Sequence, residues 1–166
     1  MSSVTLFPPL ASSSPRESEI SEGTGLSDMQ WGNLAAVQEH IFPACPDSPG
    51  AGDINATEYL RTVLSGKDID SEMRTFIYRG VDWLERFTRE KHGASFEEMS
   101  ESGRESVLRG FATDIIGEIW LSTILIYIFE ALLCDPVYGG NPNQTGWEWL
   151  EHKPGFPRPP ADKLLT

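Results

Sequence analysis

Apolar residues along this chain recur at the spacing of one helix face in several separate runs. Ser27-Asp28 reads as a helix start and Pro43 as its end, with Trp31, Leu34, Val37, Ile41 and Phe42 close to one stripe. Two prolines and two glycines between Cys45 and Gly52 forbid regular structure there. Tyr59, Leu60, Val63 and Leu64 predict a short helix over 56–64, ended at Ser65-Gly66. The clearest helix follows, capped at Ser71 and closed at His92-Gly93. Met73, Phe76, Ile77, Gly80, Trp83, Leu84 and Phe87 form its apolar stripe. Gly80 on that stripe predicts close approach of another backbone. Ser95 with Glu98 is a capping-box pattern. A helix is expected over 102–112, with Val107, Leu108 and Phe111 inward, and a last long one over 113–133.

That last helix is apolar nearly all round from Ile119 to Leu133. A membrane span needs about 20 such residues, and this run is flanked by Glu118 and interrupted by Glu130. The reading is a central helix buried on all sides, some of them covered by a partner rather than by this chain. From 134 to 160 the chain turns rich in proline and glycine yet keeps Tyr138, Trp147, Trp149 and Phe156. Such a strap is expected to lack a core of its own and to anchor an interface. The fold class is therefore all-α: a small helical bundle with a central apolar C-terminal helix and a long aromatic strap. The stretch 1–26 reads as a disordered arm and 161–166 as a tail around a single domain, 27–160.

Composition narrows the partners. A net charge of −12 repels phosphate backbones, so nucleic acid is not expected. A basic protein surface suits such a chain better. Cys45 and Cys134 lack CxxC spacing and are read as two buried free thiols, although a disulfide cannot be judged from spacing. Only Arg16 is basic in the first 26 residues, with no apolar leader or twin arginine. The expected location is the cytoplasm, or the periplasm if the chain travels with an exported partner.

No catalytic constellation emerges. His40, His92 and His152 sit in different segments, without a second metal-ligating residue at useful spacing, and are read as surface or cap residues. Gly139-Gly140-Asn141 lacks the strand and the GK[ST] ending of a phosphate loop. No cofactor is expected on this chain. Glu130 has two readings: a helix-end acid paired with a local donor such as Arg158, or half of a buried ion pair across a subunit interface.

The strings Asp135-Pro-Val-Tyr-Gly-Gly-Asn141, Gly146-Trp147 and Pro154-Gly-Phe-Pro-Arg158, preceded by the loop Ile41-Phe-Pro-Ala-Cys-Pro-Asp-Ser-Pro-Gly-Ala51, carry a resemblance. The chain resembles the gluconate 2-dehydrogenase subunit 3 family from about Leu26 to Arg158. The resemblance implies a noncatalytic small subunit. Its large partner, of the glucose–methanol–choline oxidoreductase type, holds FAD, does the chemistry on a sugar or sugar acid, and passes electrons to a cytochrome or other acceptor. The twin-arginine signal that exported members often carry is not seen before Leu26. The interface is expected at Glu130, Asp135, Pro136, Tyr138, Gly139, Gly140, Asn141, Gly146, Trp147, Phe156, Pro157 and Arg158. The alternative is a stand-alone helical adaptor or ligand-binding module.

Overall fold

A computed structural model describes residues 25–160; the N-terminal arm up to residue 24 and the tail 161–166 lie outside the described residues. Six α-helices are joined by loops and three single 3-10 turns, with no strand among the described residues. They are α1 (Asp28–Ile41), α2 (Ala56–Ser65), α3 (Ser71–His92), α4 (Glu101–Phe111), α5 (Ile115–Leu133) and α6 (Thr145–Trp149). The architecture is the expected all-α bundle.

Side-chain caps set most helix starts. Ser27 and Gln30 form a capping box on α1, Ser100 accepts from the Gly103 amide on α4, and Asp114 accepts from the Ile116 amide on α5. The cap of α3 is Asp70, which accepts from the Glu72 and Met73 amides, and not Ser71, which is the first helical residue. The predicted Ser95–Glu98 capping box is present and holds the turn Phe96–Glu98. Between α1 and α4, His40 Nε2 meets Glu105 Oε2 at 2.7 Å. The hydrogen bond from His40 holds the Glu105 carboxyl below its usual range.

The core lies where α5 packs on α1, α2 and α3. Trp120, Ile124 and Ile128 on its inner face are fully buried with Leu34, Leu60 and Leu84. Gly80 is the site of a close approach, but the approaching group is an indole rather than a backbone. Trp120 lies directly over the glycine, where any Cβ would strike its Nε1, and that Nε1 donates to the Ile77 carbonyl at 3.1 Å. Thus α3 gives up a side chain so that the largest ring of α5 can lie against its backbone.

This chain alone does not bury α5 on all sides; as expected, part of it is left uncovered. Ile115, Ile119, Ile126, Phe129 and Leu133 are exposed on its outer face. With a mean hydropathy of 1.8, α5 is long and apolar enough to cross a membrane by length and composition. Its inner face nevertheless stands where a core helix stands, with Trp120 wedged between α3 and α5.

The Gly80–Trp120 contact gives a signed prediction. In an exposed helix, Gly→Ala would stabilise by about 1 kcal/mol. Here Gly80→Ala should destabilise by about 1–3 kcal/mol through overpacking, read as a lower thermal midpoint in circular dichroism.

Candidate partner-binding face

The geometry begins at the end of α5. Pro136 stops the helix, and Cys134 and Asp135 are extended. Asp135 then caps the next turn, accepting from the Val137 amide at 3.1 Å. Gly139 takes a φ of 94°, which favours glycine. Gly140 has a different reason to be glycine. A Cβ there would stand 2.7 Å from the Ala131 carbonyl oxygen and 2.8 Å from Cys134 Sγ. The strap thus leaves α5, turns, and comes back against the helix's last turn.

Asn141 fastens it. Fully buried and left-handed (φ 49°), it donates from its amide to the Ile54 carbonyl at 3.0 Å. Its Nδ2 donates to the Cys134 carbonyl at 3.0 Å, and its Oδ1 accepts from the Gly146 amide at 2.7 Å. Gly146 sits directly on the Leu132 carbonyl, where no side chain fits. Trp147, 5% exposed, donates from Nε1 to the Leu133 carbonyl at 2.8 Å. The guanidinium of Arg158 lies 4.8 Å above the Trp147 ring, while its Nε donates to Asp135 Oδ2 at 2.7 Å. That bond holds the Asp135 carboxyl below its ordinary range and raises the Arg158 guanidinium.

These contacts correct the premise that the strap needs a foreign surface. It folds onto its own chain, and α6 forms within it. Gly140, Asn141, Gly146 and Trp147 are buried here, and Asp135, Pro136 and Arg158 are half-buried in the joint. Gly139 is exposed at the turn. Tyr138 is half-buried and lines a groove with Tyr59, Ile126, Phe129, Glu130 and Leu133. Phe156, 88% exposed, and Pro157 beside it project from the strap's far end.

Glu130 is exposed and does not pair with Arg158. Its Oε2 accepts from the Tyr59 hydroxyl at 3.2 Å. Burial pushes the Tyr59 hydroxyl pKa up, and the neighbouring Glu130 charge pushes it further. Burial likewise raises the Cys134 thiol to about 11, so it stays protonated at neutral pH. Cys45 and Cys134 are both free, but Cys45 is exposed rather than buried. Among the described residues no three His, Cys, Asp or Glu side chains come together to hold a metal.

The outer face of α5 is exposed, in keeping with the expectation that this chain does not cover every side of the helix. Its apolar stripe runs to Phe129, which meets Phe42 edge-on at 6.3 Å; Phe42 in turn meets Trp149 at 6.4 Å. Beside the stripe, Phe76, Trp83, Ile116 and Ile119 line an open groove of about 400 Å³ between α3 and α5. Contiguous exposed apolar surface of this kind is uncommon on a soluble monomer.

A helical bundle whose strap is tied back on itself, with one long helix apolar on its outside, has the build of a subunit. Residues 28–155 match the family model described as gluconate 2-dehydrogenase subunit 3, and the chain belongs to that family. No curated protein and no solved structure matches the chain.

Two outcomes follow from the joint. Asn141→Ala removes two side-chain hydrogen bonds and strands buried partners, and should cost about 2–4 kcal/mol. Urea unfolding would measure the loss, and faster exchange of the Gly146 amide would place it in the strap. The Asp135–Arg158 pair gives a pH dependence. Because the folded Asp135 pKa is depressed, its contribution is complete above the unfolded value of about 3.9 and is lost as pH falls through the folded value. The thermal-midpoint gap between wild type and Arg158→Ala should therefore be widest near neutral pH and shrink below pH ~4.

Proposed function

We propose that this chain is the noncatalytic small subunit of a flavin-dependent sugar or sugar-acid dehydrogenase, and that it stabilises, matures or escorts the large subunit. Family membership carries the reading, and the uncovered outer face of α5 supports it: a chain with no use for that face alone would not keep it apolar. FAD belongs to the large subunit, of the glucose–methanol–choline type, which also passes electrons to a cytochrome or other acceptor. The docking face combines the outer side of α5 with Glu130, Tyr138, Phe156 and Pro157, while the buried strap residues shape that face from behind. The pair works in the cytoplasm, a setting in keeping with an exposed free thiol at Cys45.

Co-expression with the large subunit tests this. The two chains should co-purify with a flavin spectrum, and the large subunit made alone should lose flavin or solubility. This chain alone should carry no flavin. Removing residues 1–25 should leave assembly and activity intact. A chain that is monomeric, stable and indifferent to the flavoprotein would be an adaptor of another kind.

A further inference from the structure

The uncovered face of α5 has a definite spacing. Ile115, Ile119, Ser122, Ile126, Phe129 and Leu133 follow one another at intervals of four, three, four, three and four residues, and all six are exposed. This is the spacing with which one helix offers a seam to another. A rise of about 1.5 Å per residue makes the seam roughly 27 Å long, about five turns. Ser122 interrupts the apolar run at mid-seam, where a polar residue restricts the register of whatever lies on it.

Charge decides what that is. At about 100° per residue, Glu118 and Glu130 stand about 60° to either side of the seam's centre, and both are exposed. The grooves beside the seam add Glu72, Asp68 and Asp70 against one cation, Arg79. Tyr59 already holds one oxygen of Glu130 in place. A second copy of this chain would bring the same acidic rim and another net charge of −12, a like-charge meeting that costs association.

We infer that the α5 seam receives one α-helix of the large subunit, apolar at heptad spacing and flanked by Lys or Arg side chains that meet Glu118 and Glu130. The inference rests on the small-subunit reading and goes beyond it by assigning the docking element, its form and its charge. The rim steers the approaching helix, and the seam holds it.

The full chain, co-expressed with the flavin-dependent large subunit, provides the test. Ile126 is 55% exposed, so Ile126→Glu should leave the isolated chain's circular dichroism and thermal midpoint unchanged while weakening the complex about 30-fold or more. Ile119→Asn is the second seam variant should Ile126→Glu lower the midpoint. Joint Glu118→Lys and Glu130→Lys should weaken binding about tenfold at low salt, with the gap closing as ionic strength rises. A well-folded seam variant that still binds overturns this inference and leaves the small-subunit reading standing. A wild-type chain that never binds the flavoprotein overturns both. Charge-reversed chains that bind as tightly as wild type overturn the basic flanks. Seam-dependent dimers in sedimentation, or seam-dependent flotation with phosphatidylcholine vesicles, give the seam another occupant and overturn the inference too.

Discussion

The last carbonyls of a helix have no partners inside it, and the chain after Leu133 is arranged to supply them. Trp147 donates to the Leu133 carbonyl and Asn141 to that of Cys134. Gly140 and Gly146 lie against Ala131 and Leu132 so closely that only glycine fits. The helix end thereby orders a segment whose composition alone could not order itself. Asn141 extends the arrangement to the Ile54 carbonyl, so the loop after α1 and the strap are fixed by one residue. The two segments that carry the family resemblance are neighbours in space for this reason.

The same helix serves two surfaces. Its inner side is spent on Trp120, Ile124 and Ile128 in the core. Its outer side carries Ile115, Ile119, Ile126, Phe129 and Leu133, all exposed. Because the strap grips the C-terminal turn, α5 cannot rotate to hide that side without breaking the Trp147 and Asn141 bonds. The exposed face is thus a fixed feature of the fold rather than one of several ways of packing a greasy helix.

Helices with one apolar face were legible from periodicity: the stripe through Met73, Ile77 and Leu84 places α3 without ambiguity. The length and place of α5 were legible too, but not which of its sides turns inward. A helix apolar all round has no preferred direction, and contacts far apart in sequence, such as Gly80 opposite Trp120 and Trp147 on the Leu133 carbonyl, fix it. The short α6 was missed because five residues between glycines and prolines carry no period; docking against Leu132 and Leu133 makes Thr145–Trp149 helical. Trp147 was read as an outward anchor because its acceptor lies 14 residues back in another element. The Tyr59–Glu130 bond spans 71 residues and leaves no local signature. The interface residues proposed from sequence separate accordingly into those that build the joint and those, such as Phe156, that remain free to touch another chain.

The exposed thiol of Cys45 has a practical consequence. It borders a groove shared with Thr145, Glu148 and Trp149. The other thiol, Cys134, is partly covered and held protonated at neutral pH. A thiol-reactive fluorophore would therefore mark Cys45 in preference, without a cysteine having to be engineered in. Standing beside Trp149, it would sense through quenching whether the strap is seated. The chain carries its own attachment point for watching, in real time, the joint close as the protein folds or meets another subunit.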